Sequence, residues 1–372
     1  MAVEIGTASN ARDLVSKLEK FLTTNPELVQ ANQAWEVIKD SDGGDELAFV
    51  RVSWPDRQRD DPLWGFRRRF VGHGLDGEDT VVVPMALCVN DYYSISSLCA
   101  WYATKDEIGE EIAGYFVTTG GNRLDRNEPM ATSIPLRNDE MPYWFVANGR
   151  RFIIVVKVHD VYMSMYCGFM LQFGTDLENP YPMYIGGSHN NTFSRILTEA
   201  EKATAKDISD WHGGSTRESH IDMNYGGFYD PRAYPNTVGL LHGLDDCSSC
   251  MCGTPNGVVA MVSGNGESLA SSLDNKKYTS GYLLPYRYGT TVSSQHVVLP
   301  IEITAIQDLD ATVNTATNYW REASTIGWLQ GAYFVSGSNN TPEKELIIGG
   351  KRYLCFPPME NDRKRWLALL ME

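Results

Sequence analysis

The sequence predicts a mainly β protein, β-sandwich or barrel-like (α+β), with an N-terminal amphipathic helix and a loop-rich insertion. Three observations predict this class. Several strongly β-forming segments are joined by turn residues, one segment near the N-terminus has helical spacing, and a middle region is rich in Gly, Ser, Asn, Asp and Tyr. The strongest of these patterns lies in residues 141–188.

A β-hairpin is predicted within residues 143–159. Its two arms, residues 143–147 and 151–159, are rich in aromatic and β-branched residues, which favour strands. Asn148-Gly149 between them is the pair best suited to the positive φ angles of a type I′ turn. A third apolar segment follows at 161–173, and Gly186-Gly187 predicts the next chain reversal.

The clearest helix is predicted over residues 9–22. Ser9 or Asn10 can cap its start, and Asn25-Pro26 ends it. Its apolar residues recur at three- and four-residue spacing: Leu14, Leu18, Phe21 and Leu22.

Further strands are predicted on both sides of the middle region, and we expect the first to begin near residue 34. Alternating apolar and polar residues predict the following pairs: 34–39 with 47–53, 80–89 with 92–104, and a closing hairpin around Gly349-Gly350, preceded by a strand at 297–306.

The domain organisation follows from these patterns. We expect an N-terminal helical segment at 1–30, the first part of a β-rich core at 31–187, a loop-rich insertion at 188–292 and the closing strands of the core at 293–372. An insertion of this length usually carries a function or an interface.

The acidic balance limits the possible partners. The chain has 372 residues and a formal net charge of −15, which argues against a broad surface for nucleic acid or an anionic membrane. No window approaches the apolar length of a membrane span, so we expect a protein that is cytosolic or assembled in the cytosol. The seven cysteines are an odd number scattered over a long chain, and we expect reduced, buried thiols.

One cluster has the ligand types of a zinc site: His242, Cys247, Cys250 and Cys252. Its spacing is poor, because Cys250 and Cys252 are separated by one residue and no second, distant pair of ligands is apparent. We therefore expect no tightly bound metal and no cofactor. The alternative is a metal site that organises the insertion.

A second group, His212, Glu218 and His220, could ligate a metal or serve acid–base chemistry. Neighbouring Gly and Ser residues favour an exposed loop instead. No nucleophile elbow and no His-Glu-x-x-His spacing accompanies the group. We expect no catalytic residues.

Five arginines form the basic cluster of the chain, interleaved with aromatic residues and with aspartates. The aspartates would cancel much of the positive field, so an interface between subunits is favoured over nucleic-acid binding. The predicted interface residues are Arg57, Arg59, Arg67, Arg68, Arg69, Trp54 and Trp64.

Two stretches resemble a family of virion structural proteins of tailed bacteriophages. One is the run from Tyr143 to Val155, with the later Pro180-Tyr181-Pro182 and Gly186-Gly187-Ser188. The other lies near the C-terminus, in the segments 329–337, 345–354 and 365–369, and is similar to the closing hairpin of that family. These motifs are structural, and the segment from His189 to Thr291 departs from the pattern.

The resemblance implies a non-enzymatic subunit of the neck, collar or tail, built in the host cytoplasm and assembled as a symmetric ring. The implied partners are further copies of the chain and other neck or tail proteins, such as the portal or adaptor and the tail tube or sheath. Contact with passing DNA would be transient. The alternative is a tail-fibre or baseplate protein, a β-sandwich that binds the host or acts on glycans.

Overall fold

The computed structural model describes residues 1–39, 63–71, 78–90, 95–100, 132–173, 183–187, 198, 200–201, 239–242, 248–254, 257–261, 297–308, 321–357 and 366–372. Strands dominate these residues, and α1 (Ala11–Thr24) and α2 (Pro26–Gln30) lie near the N-terminus. The strands are β1 (Ala2–Ala8), β2 (Glu36–Lys39), β3 (Leu63–Val71), β4 (Glu78–Asn90), β5 (Ile95–Ala100), β6 (Thr132–Arg137), β7 (Met141–Ala147), β8 (Arg151–Val158), β9 (Val161–Phe169), β10 (Leu171–Gln172), β11 (Met183–Gly187), β12 (Gly239–His242), β13 (Ser248–Thr254), β14 (Gly257–Met261), β15 (Leu299–Asp308), β16 (Arg321–Val335), β17 (Glu345–Ile348), β18 (Lys351–Phe356) and β19 (Trp366–Leu370).

The strands form three antiparallel sheets. The first sheet has the order β1-β7-β8-β9-β11-β12-β13-β14. The second has the order β10-β16-β19-β18-β17, with β15 also paired to β16, and the third is the meander β2-β3-β4-β5-β6. The predicted mainly β class with an N-terminal helix is confirmed.

The main core lies between the first and second sheets. It buries Trp144, Val155 and Tyr162 of the first sheet against Leu329 and Phe356 of the second. The rings of Trp144 and Phe356 meet edge to face, with centroids 4.9 Å apart. This packing joins residues that are more than two hundred positions apart in the chain.

Helix α1 covers the other face of the first sheet. The side chain of Asn10 caps the helix by accepting a hydrogen bond from the Asp13 amide at 2.9 Å. The buried ring of Phe21 lies 5.6 Å from that of Phe145 on β7. Both faces of the central strands are therefore covered, and this explains why β8 is an almost continuous apolar run.

The hairpin of β7 and β8 is confirmed, but its predicted turn is wrong. Ala147 pairs with Phe152, and the Asn148 amide donates to the Arg151 carbonyl at 3.0 Å, so the two loop residues are Gly149 and Arg150. Neither Asn148 nor Gly149 has a positive φ. Instead, the Asn148 side chain stabilises the turn by accepting hydrogen bonds from the amides of Arg150 and Arg151, at 2.8 and 3.0 Å.

Two further strand predictions are wrong. Strands do not begin near residue 34, because β1 starts at Ala2 and pairs along its whole length with β7. Gly186 and Gly187 do not reverse the chain, because they lie in β11 opposite Tyr166 and Met165. Strand β1 pairs with β7, and β11 pairs with β9. Neither pairing is between consecutive strands, so turn residues do not predict it.

Other predicted pairs have mixed outcomes. The pairing of β4 with β5 and the closing hairpin are confirmed, and Gly349 and Gly350 have the positive φ values, 61° and 79°, of a tight turn. Strand β2 pairs with β3. Its predicted partner, residues 47–53, lies outside the described residues. Within 188–292, strands β12, β13 and β14 extend the first sheet.

Candidate functional site

A buried arginine lies where the first and second sheets meet. Arg151 begins β8, and its accessibility is 0%. Strand alternation places it on the same face as Ile153 and Val155, which belong to the core between the sheets. A charged side chain is almost never fully buried unless it is paired, so this position needs a physical account.

Two glycines with positive φ make room for Arg151. Gly168, with φ 129°, lies opposite it on β9, and an added Cβ there would collide with the Arg150 carbonyl and lie 2.5 Å from the Arg151 Cα. Gly331, with φ 87°, lies on β16 of the second sheet, where an added Cβ would collide with Arg151 Nη2. Both sheets thus have a backbone conformation that suits the arginine.

The guanidinium has few acceptors. Nη1 donates to the Val146 carbonyl at 3.3 Å, and Nη2 donates to the Met1 sulfur at 2.9 Å. Nε has no acceptor among the residues that the structure describes. Burial lowers the pKa of Arg151, and the nearby Tyr166 and Tyr333 raise it in part. The guanidinium has five N–H groups, so the described residues do not fill its bonding capacity.

A polar network lies close to Arg151, around the turn before β8. The Asn148 carbonyl accepts from Trp35 Nε1 at 2.9 Å, and the Asn148 amide nitrogen Nδ2 donates to Gln330 at 3.2 Å. The Tyr166 hydroxyl donates to the Phe169 carbonyl at 2.6 Å, and burial raises the pKa of Tyr166 to about 12. The two Asn148 bonds join the turn before β8 to Trp35 and to β16.

Arg137, at the end of β6, forms a second cluster with carboxylates. Its Nη1 and Nη2 donate to the two oxygens of Glu201, each at 2.9 Å, and its Nε donates to Asp139 at 2.8 Å. Glu201 also accepts from the Thr198 amide at 2.7 Å. The hydrogen bond from Arg137 is the largest cause that lowers the pKa of Glu201 to about 2. These bonds attach Glu201, which is itself bonded to Thr198, to the end of β6.

A third cluster is centred on Glu343, a residue with a positive φ of 62°. Its carboxylate accepts from the Tyr162 hydroxyl at 2.5 Å and from Lys157 Nζ at 3.1 Å. Burial, followed by the bond to Glu343, raises the pKa of Tyr162 to about 12. The cluster joins the β8–β9 hairpin to the loop before β17, and it explains how a non-glycine residue is held in this conformation.

Exposed isoleucines lie on terminal strands of two sheets. Strand β1 ends the described order of the first sheet, and its Ile5 is 56% exposed. Strand β17 ends the order of the second sheet, and its Ile347 is 72% exposed. Exposed apolar residues on terminal strands are typical of surfaces that another chain covers.

The predicted arginine interface is described in part. Trp64, Arg67, Arg68 and Arg69 lie in β3, where the register pairs Arg67 with Glu36 of β2. The remaining predicted interface residues lie outside the described residues: Trp54, Arg57 and Arg59. The interface therefore stays a prediction.

The predicted metal ligands are also described in part. His242 ends β12, and Cys250 and Cys252 lie in β13, whereas Cys247 is outside the described residues. In the part of the chain that the structure describes, no group of three or more His, Cys, Asp or Glu residues could hold a metal ion. The second group, His212, Glu218 and His220, lies outside that part.

Arg151 was not among the site residues predicted from the sequence, although a signal for it was present. Alternation along β8 places position 151 on the same face as two core residues, which predicts an arginine facing the core. Gly331 on β16 could not have been predicted to contact Arg151, because the two sheets pack through residues that are distant in sequence.

No protein-family model matches the sequence, and no curated protein matches it significantly. Among the described residues, no helix has the length and apolar character that crossing a membrane requires.

Proposed function

We propose that the chain is a non-enzymatic structural subunit of a tailed-phage virion. It would form part of the neck, collar or tail, assemble in the host cytoplasm and hold neighbouring rings together. The partners would be further copies of itself and other neck or tail proteins. We also infer that the first and second sheets form a β-sandwich around their shared core.

The observation that carries the proposal is the pair of exposed isoleucines on terminal strands. Ile347 is 72% exposed in β17 and Ile5 is 56% exposed in β1. A ring subunit needs such surfaces, because each copy must cover apolar area on the next. The resemblance of residues 143–155 and of the closing hairpin to phage virion proteins supports the same role.

The arginine cluster supplies a second proposed contact. Arg67, Arg68 and Arg69 lie in β3, and guanidinium groups pair well with the carboxylates that an acidic neighbour offers. We propose that these arginines, with Arg57, Arg59, Trp54 and Trp64, contact the adjacent subunit.

Self-association tests the proposal. Light scattering over a range of protein concentrations should show oligomers of the wild-type chain, and Ile347→Lys should weaken them because it places a charge in the contact. Val29→Lys is the matched control, since Val29 is 53% exposed but lies on α2. A wild-type chain that stays monomeric, alone and with its virion partners, would contradict a ring subunit.

One observation favours the alternative of a host-binding or glycan-active tail protein. Phe173 is 40% exposed, and its ring lies 5.1 Å from that of Trp328. An exposed aromatic ring beside a half-buried one offers a surface on which a sugar can stack. Glycan binding that is lost in Phe173→Ala, by a chain that does not self-associate, would favour this alternative.

A further inference from the structure

One edge of the Arg151 guanidinium has almost no acceptors among the residues that the structure describes. Nε and Nη2 lie on the same edge, which binds two oxygens of a carboxylate or phosphate in side-on pairs. Nε has no acceptor among the described residues, and Nη2 has only the thioether sulfur of Met1. A thioether is a weak acceptor. No described carboxylate lies within ion-pair distance of this guanidinium.

The Met1 sulfur contacts this edge at Nη2. It precedes β1, and the pairing of β1 with β7 begins at Ala2, so Met1 makes no ladder pair. Its accessibility is 36%. Met1 can therefore move outward without breaking the first sheet, and its departure would open the Nε and Nη2 edge to an entering group.

We propose that Arg151 binds an oxyanion, which is a carboxylate or a phosphate group. The oxyanion replaces the Met1 sulfur and accepts hydrogen bonds from both Nε and Nη2. Such a group would supply the missing acceptor and the opposite charge at once. Gly331 supports this assignment, because its lack of a Cβ leaves room for Nη2, while Gly168 leaves room for the Arg151 backbone and Cβ. The proposal does not depend on the virion role.

Anion titrations of the full chain test the proposal. Sodium acetate and sodium phosphate should raise the melting temperature in a saturable manner, compared with sodium chloride at equal ionic strength. Phosphate also stabilises proteins in general by exclusion from their surfaces, so a variant must separate the two effects. Arg151→Lys keeps the charge but lacks the planar edge, and it should lose the saturable part.

Arg150→Gln is the matched control. Arg150 is the neighbouring arginine, and its guanidinium lies 5.6 Å from the Phe169 ring centroid, outside the proposed site. This variant removes one positive charge and should keep the response of the wild type. An equal response in the wild type and Arg151→Lys would overturn the proposal.

A measurement on the wild type remains decisive if Arg151→Lys does not fold. The NMR signal of the Arg151 Nε–H group should shift with acetate or phosphate and not with chloride. A signal that does not move with either anion, and does not move with protein concentration, would overturn the proposal. Movement with protein concentration alone would identify the carboxylate as one from a second copy of the chain.

Discussion

At the scale of single residues, the packing around Arg151 depends on two positions that lack a Cβ atom. Gly168 and Gly331 have no Cβ, and a Cβ at either would overlap Arg150 or Arg151. Positive φ at these positions costs little for glycine and more for any L side chain. The arginine and its glycines are therefore one structural unit, although each belongs to a different strand.

Gly331→Ala tests this unit. The methyl group would collide with Arg151 Nη2 and would also adopt φ 87°. We expect a loss of about 2–5 kcal/mol in the free energy of unfolding, the sum of a left-handed backbone cost and overpacking. Urea unfolding measures it.

The control for this variant is Gly349→Ala. Gly349 also has a positive φ, 61°, but an added Cβ there has no heavy atom within 4 Å. It should lose only about 1–2 kcal/mol, the backbone part. Equal losses in the two variants would show that Arg151 does not fill the space beside Gly331.

At the scale of elements, side-chain contacts decide how the strands and loops are joined. The turn between β7 and β8 uses the Asn148 side chain as its acceptor, where the sequence predicted a left-handed backbone. The same residue also bonds to Trp35 and Gln330, so one turn connects the segment after α2 with β16. Local turn preferences identified the position of this turn but not its geometry, because these partners are distant in sequence.

The clasp of Arg137 and Glu201 predicts a pH dependence. The hydrogen bond from Arg137 lowers the folded-state pKa of Glu201 to about 2, below its ordinary value of 4.5. The stabilisation is therefore complete above pH 4.5 and is lost as the pH falls towards 2. We expect Glu201→Gln to lose about 1–3 kcal/mol at neutral pH, with a difference from the wild type that shrinks on acidification.

Urea unfolding of both proteins across this pH range measures the difference. Glu345→Gln is the control, since Glu345 is 49% exposed and lies 3.7 Å from the exposed Arg352. An exposed pair of this kind should contribute less than about 1 kcal/mol. A Glu201→Gln difference that does not change with pH would contradict the role of the clasp.

At the scale of the whole molecule, the packing of the first sheet on the second joins two of the three described sheets. Phe356 of β18 contacts two rings of the first sheet, with centroids 4.9 Å from Trp144 and 5.6 Å from Tyr162. Its accessibility is 0%. Near-complete burial of three aromatic rings makes this contact a large apolar contribution to stability.

Phe356→Ala should therefore lose about 3–5 kcal/mol in the free energy of unfolding. Near-UV circular dichroism should weaken as well, because Trp144 and Tyr162 lose their fixed surroundings. Phe173→Ala removes the same side chain from a position that is 40% exposed and should lose far less. Similar losses in both variants would mean that the two sheets do not depend on this contact.

Local features could be predicted from the sequence. Helical spacing and capping residues predicted α1 with Ser9 or Asn10 as its cap, and Asn10 is the cap, but α2 and β1 were missed. Adjacent apolar runs predicted the β7–β8 hairpin, and paired glycines predicted the closing turn at Gly349-Gly350. These succeed because periodicity and turn chemistry involve residues that are neighbours in the chain.

The arrangements between distant segments depend on the packing of the folded chain and could not be predicted from the sequence. The chain passes from the first sheet to the second at Met170, between β9 and β10, and β19 inserts between β16 and β18. Neither feature is marked by a local sequence pattern, because the strands involved have ordinary strand composition. The burial of Arg151 has the same origin: its face was predictable from β8, but its enclosure required β16 with Gly331. Long-range pairing is set by the packing of whole sheets, which residues adjacent in sequence do not encode.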